Sequence, residues 1–95
     1  MNTTESIFTN IDFLETESVV SLNETGLRLA KSGEMQKAEE NFLKAISLND
    51  RYVEAYCNLG TLHLSEGKKD KAEEMFEEAY KYNPGLVAQH SIGTF

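Results

Sequence analysis

Residues 19–52, VVSLNETGLRLAKSGEMQKAEENFLKAISLNDRY, lie over residues 53–86, VEAYCNLGTLHLSEGKKDKAEEMFEEAYKYNPGL, without a gap. Ten of the 34 aligned pairs are identical: Val19/Val53, Gly26/Gly60, Gly33/Gly67, Lys37/Lys71, Ala38/Ala72, Glu39/Glu73, Glu40/Glu74, Phe42/Phe76, Ala45/Ala79 and Asn49/Asn83. A unit of this length is one supersecondary element that buries its apolar face only by stacking on a neighbour. Such stacks leave grooved surfaces, so the repeat points to binding before it points to any partner.

Each unit reads as two helices. In the first unit, Leu22, Gly26 and Leu29 fall on one stripe at steps of four and three, predicting a helix over 19–32. Ser18 is placed to cap it and Gly33 to stop it in the left-handed conformation. Met35, Ala38, Phe42, Ala45 and Leu48 form the stripe of a second helix over 34–48. The second unit predicts helices over 53–66 and 69–82, with Tyr56, Leu59, Gly60 and His63 on the former and Ala72, Phe76 and Ala79 on the latter. Asp70 lies where an acid favours the helix dipole, and Pro84-Gly85 is expected to break the chain. Gly26 and Gly60 recur at one register, although glycine costs about 1 kcal/mol against alanine within a helix. Close approach of the paired helices, with Phe42 and Phe76 filling the space, is the compensation that register implies.

These residues resemble a pair of tetratricopeptide repeats. The second unit supplies Tyr56, Leu59-Gly60, Ala72, Phe76, Ala79 and Pro84, and departs from the family pattern with His63 where an aromatic stands. The first supplies Leu22, Gly26, Leu29, Ala38, Phe42 and Ala45, and departs with Thr25 in place of the leucine before glycine and Asp50 in place of the proline. The resemblance spans residues 19–86. It implies an all-α fold of antiparallel helix pairs stacked as a short right-handed solenoid, with the first helices lining a concave face.

The flanks are read separately. Residues 1–18 hold four acids and no base, with Ile7, Phe8, Ile11 and Leu14 at helical spacing and Thr4-Glu5 suited to cap them. Phe8 and Ile11 lie 34 residues before Phe42 and Ala45, so the segment reads as a capping half-repeat or as a peptide that fills the groove. Residues 87–95 read as an incomplete third unit or a capping helix, Ile92-Gly93 echoing Leu59-Gly60 one residue early.

Charge and composition exclude several functions. Of the net −7, the first unit contributes nothing and the second −3, which disfavours nucleic acid as a partner because phosphate binding needs a basic surface. No apolar run approaches the roughly 20 residues of a membrane span, and the acidic start does not read as a secretory signal. The cytoplasm is the expected location. There is no phosphate loop, paired-cysteine motif or His-Glu-x-x-His, so neither enzyme chemistry, a cofactor nor a metal site is expected. His63 reads as a packed, hydrogen-bonded core residue, and Cys57 as a small apolar filler with no neighbouring base to activate it.

A binding stripe separate from the packing stripe follows from the same helical spacing. In the first unit it comprises Val20, Asn23, Leu27 and Ala30, with Lys31 beside them. In the second it comprises Glu54, Cys57, Thr61 and Leu64, with Asn58 adjacent. The expectation is that Leu27, Ala30 and Leu64 bury apolar surface while Asn23, Asn58 and Thr61 hydrogen-bond a partner backbone. Relatives that hold the acidic tails of heat-shock chaperones use a Lys and Asn clamp. Here Asn23 and Leu27 occupy the clamp places of the first unit, and Ala88 and Ile92 stand where a third unit carries Lys and Arg. An acidic-tail receptor is therefore disfavoured.

The function expected is a non-enzymatic adaptor or assembly scaffold that takes a protein partner, a peptide or an amphipathic helix, in its concave groove. The alternatives are a self-assembling homo-oligomer whose groove is filled by its own N-terminal segment, and a chaperone of a secreted or assembly subunit.

Overall fold

The structure is a computed structural model and describes residues 18–85. Four helices follow one another: α1 Val19–Lys31, α2 Met35–Leu48, α3 Val53–Ser65 and α4 Lys69–Tyr82. Helix α1 packs along α2, and α3 along α4. Helix α2 then packs against α3, and α1 touches α3 directly. This is the all-α arrangement of stacked antiparallel pairs that the repeat predicts. The readings of residues 1–17 and 86–95 lie outside the described residues.

The boundaries have local causes. Ser18 Oγ accepts the Ser21 amide at 3.1 Å, satisfying a donor that the helix cannot satisfy itself. At the other end of α1, Gly33 has φ +87°. The Gly33 amide donates to Ala30 O at 3.0 Å and the Glu34 amide to Leu29 O at 2.9 Å. Gly67, with φ +77°, repeats the arrangement: its amide donates to Leu64 O at 3.0 Å and the Lys68 amide to His63 O at 2.8 Å. Both are Schellman ends, in which two otherwise orphan carbonyls find donors through a left-handed residue. Between the units, Asn49 Oδ1 accepts the Arg51 amide at 3.0 Å, and the Tyr56 hydroxyl donates to Asp50 O at 2.8 Å. The turn is thus tied to the helix that follows it.

Two expectations are corrected. Helix α4 ends before Asn83, while Pro84 and Gly85 are helical again, so the proline opens a new turn instead of only ending the old one. Its missing N–H and fixed φ suit a first helical position. Leu48, placed on the packing stripe by its spacing, is 57% exposed, because it is the last residue of α2.

Inside, Phe42 is completely buried. A Cβ on Gly26 would sit 2.5 Å from its Cε1 and 2.7 Å from its Cδ1. A Cβ on Gly60 would sit 2.6 Å from Phe76 Cζ, but Phe76 is only half-buried. Phe42 packs with Ala30, Ala38, Leu59 and Leu62. Ile46 borders this cluster, a second around Tyr56, Cys57 and Ala79, and a third of Leu22, Ala45 and Ala55. It therefore joins the two units.

Gly26→Ala is expected to destabilise the fold by about 1–3 kcal/mol, the usual cost of overpacking a sealed site. Gly60→Ala should cost clearly less, since the Phe76 ring has open space on one side and alanine regains helix propensity. Urea unfolding of both variants against the wild type checks the order; equal losses would contradict it.

Candidate functional site

Helices α1 and α3 are joined side by side by a buried side-chain hydrogen bond: Asn58 Nδ2 donates to Asn23 Oδ1 at 2.9 Å. Asn23 is 4% and Asn58 5% exposed. Removing one amide would leave its partner desolvated and unpaired, which costs more than the hydrogen bond itself contributes. The bridge fixes the register of the two helices expected to carry the binding stripe.

At the N-terminal end of this pair lies an open cleft of about 390 Å³. Val20 of α1, Glu54 of α3 and Arg51, Tyr52, Val53 and Asn83 line it. Val20 is half exposed. The Tyr52 hydroxyl donates to Glu54 Oε1 at 2.9 Å. Burial of the ring, and then that hydrogen bond to a carboxylate, push the phenol up to about 12. Val20, Tyr52 and Val53 thus bring apolar surface to the cleft, and Arg51 and Glu54 bring opposite charges. Close by, the Tyr82 ring has Arg51 Cζ at 5.9 Å and Lys81 Nζ at 6.0 Å, and Tyr56 at 6.2 Å between ring centroids.

The tetratricopeptide repeat profile matches residues 53–86, and a second profile of the same repeat matches residues 26–52. The chain belongs to the tetratricopeptide repeat family. It is also similar to anaphase-promoting complex subunit 3 of Schizosaccharomyces pombe, at 37% identity over 51 residues. That match covers 54% of this chain and 8% of the relative, so the chain spans a small part of the larger protein's length. No solved structure matches significantly.

The ten residues of the expected stripe divide evenly by exposure. Val20, Lys31 and Glu54 are exposed and Leu27 and Leu64 half-buried, while Asn23, Ala30, Cys57, Asn58 and Thr61 are buried. The buried ones already have employment. Ala30 belongs to the cluster around Phe42, Cys57 packs with Val53, Tyr56 and Ala79, and the Thr61 hydroxyl donates to Cys57 O at 3.1 Å. The hydrogen bonds expected from Asn23, Asn58 and Thr61 to a partner are thus made within the chain. Tyr52 and Arg51 of the cleft were missed by the spacing argument, because they precede α3 and lie on no helical stripe.

His63 is corrected in one respect. It is packed, at 5% exposure, but its Nδ1 is buried with no hydrogen-bond partner among the described residues. Glu66 Oε1 stands 3.7 Å away, and the same oxygen is 3.4 Å from Lys68 Nζ, so the carboxylate is shared and too distant for a hydrogen bond. Cys57 is a free, buried thiol. Burial, with the Glu54 charge adding to it, raises it from about 9 to about 11. A thiol held neutral is a poor nucleophile. Among the described residues no three His, Cys, Asp or Glu side chains are grouped to hold a metal, and no helix is long and apolar enough to cross a membrane.

Two outcomes are expected. Asn23→Ala should cost about 1–3 kcal/mol, and Asn23→Ala/Asn58→Ala together less than the sum of the single losses, as a double-mutant cycle in urea would show. The raised Cys57 value makes the unfolded chain ionise first. Its contribution to stability is therefore whole below pH 9 and declines as pH rises from about 9 to about 11. The wild type should lose that increment of stability between pH 8 and pH 11 relative to Cys57→Ala; parallel profiles would refute the assignment.

Proposed function

We propose that the chain is an adaptor or assembly scaffold that holds a peptide or helical segment of a protein partner along the α1–α3 face. Tetratricopeptide repeats are protein-interaction modules, and the similar yeast protein is by name a subunit of a complex. The observation that carries the reading is the cleft where Val20 of α1 and Glu54 of α3 meet beside Tyr52. Half-buried Leu27 and Leu64 extend apolar surface along the same two helices.

The contact chemistry follows from what remains accessible. Val20, Leu27 and Leu64 offer apolar burial, worth about 25 cal/mol per Å² removed from water. Glu54 and Lys31 supply charge at its edges, which sets orientation and encounter rate more than affinity. Asn23 and Asn58 hold the helices that present these groups. An amphipathic helix or an extended apolar segment satisfies this pattern. No catalytic step enters the proposal, and the cytoplasm remains the proposed location.

A displayed library of helical and extended peptides provides the test. Ligands selected by the wild type should lose at least about tenfold in affinity for Val20→Arg/Glu54→Arg, since a rim charge change of this kind and a charge in an apolar contact both oppose binding. Both substitutions lie at exposed positions, so the fold should survive, as circular dichroism would confirm. Selected ligands that bind the variant unchanged would place the contact elsewhere.

A further inference from the structure

The two units are equivalent in sequence but not in surroundings. Within the chain, α3 seats Ala55, Leu59 and Leu62 against α2, where Phe42 and Ile46 receive them. Adding 34 to the receiving pair gives Phe76 and Tyr80 on α4. Phe76 is half-buried and Tyr80 61% exposed, and with Glu73 and Glu77 they line an open cleft of about 360 Å³. Subtracting 34 from the seated residues gives Ser21, Thr25 and Arg28 on α1. Ser21 and Arg28 are exposed and Thr25 is half-buried. The Arg28 guanidinium donates to Thr25 Oγ1 at 3.3 Å and forms no ion pair among the described residues. Glu73 and Glu77 likewise form none among the described residues.

We propose that copies of this chain stack end to end, α1 of one copy seated on α4 of the next as α3 is seated on α2. Repeating the internal step sets Arg28, in the place of Leu62, against Phe76 with Glu73 and Glu77 on either side. An arginine there stacks on the ring and pairs with a carboxylate at once. Where α2 has Leu43, α4 has Glu77, so the receiving face has gained a charge opposite to the arginine that replaces leucine on the seated face. The charge budget of the chain agrees: the first unit is neutral and the second carries −3. The rival occupants are the chain's own ends. Residues 86–95 contain no Lys or Arg to meet Glu73 and Glu77, and residues 1–17 contain acids that compete for Arg28. The contact is heterologous, so it propagates instead of closing as a pair. It involves the ends of the stack and not the α1–α3 groove, and it stands or falls independently of the adaptor reading.

Sedimentation of the full chain from about 10 µM to about 1 mM, the span of weak contacts, tests it. The wild type should show a mass that rises with concentration and falls with added salt. Arg28→Glu alone, and Glu73→Lys/Glu77→Lys alone, should each weaken association at least about tenfold. Mixing the two variants should restore it, because each then offers the charge the other lacks. Should either reversal unfold the chain, Arg28→Gln and Glu73→Gln/Glu77→Gln are expected to weaken association and abolish its salt dependence. A wild type that stays monomeric throughout overturns the proposal and leaves the end faces to the chain's own termini or to a foreign helix. Association indifferent to the reversals, or a mixture that does not recover, overturns it as well.

Discussion

Everything in this molecule depends on how closely α1 approaches α2 and α3 approaches α4. A ring lies directly over a glycine in both pairs, Phe42 on Gly26 and Phe76 on Gly60, at a distance that leaves no room for a methyl group. The glycine weakens its helix by itself, and the approach it permits seals an aromatic ring against backbone. Dispersion contacts are small individually and large in sum at interior packing density, so the exchange favours the pair. Ala38, Ala45, Ala72 and Ala79 are completely buried for the same reason: small side chains on the second helix let the backbones meet around the ring.

The second level of organisation is the seam between units. Helix α3 is buried at Val53 and continuously from Ala55 to His63, which is unusual for a helix of a two-unit stack. It meets α1, α2 and α4 at once. Ile46 borders all three apolar clusters, and the Asn23–Asn58 hydrogen bond fixes the register across the seam. A purely apolar seam would tolerate sliding by a turn; a buried amide pair does not, because a slip would strand two desolvated polar groups. Specificity of stacking and stability of stacking are thus carried by different residues.

Local structure was legible in the chain because it is written in local chemistry. Ser18, Gly33 and Gly67 stop and start helices where their side chains, or the lack of one, satisfy backbone groups, and the helices begin and end within a residue of expectation. The identity pairs announced the glycine–phenylalanine contacts. What spacing did not convey was exposure. It treats the stripe of Asn23, Ala30, Cys57 and Thr61 as a surface, whereas α3 is enclosed and all four of those side chains bond or pack within the chain. Periodicity tells which residues share a face, not how many neighbours cover it. Tyr52 illustrates the complementary gap. It belongs to no helix, and its place in the cleft arises from the turn that Asn49 and Tyr56 hold.

Sequence equivalence and physical equivalence diverge most at Ile46 and Tyr80. They occupy one register, yet isoleucine completes a seam while tyrosine is left 61% exposed. Phe42 and Phe76 are identical residues with different fates for the same reason: one has a helix above it and the other faces a cleft rimmed by carboxylates. A repeat protein must break its own symmetry at its ends, since an interior face left bare exposes apolar surface. Here the break is chemical. Where the interior step gathers Leu62 and Phe42 in one apolar cluster, the equivalent places hold Arg28 on α1 and, on α4, Phe76 beside Glu73 and Glu77. Charges are costly to bury without partners, so each of these two faces favours a surface of opposite charge over indiscriminate apolar contact.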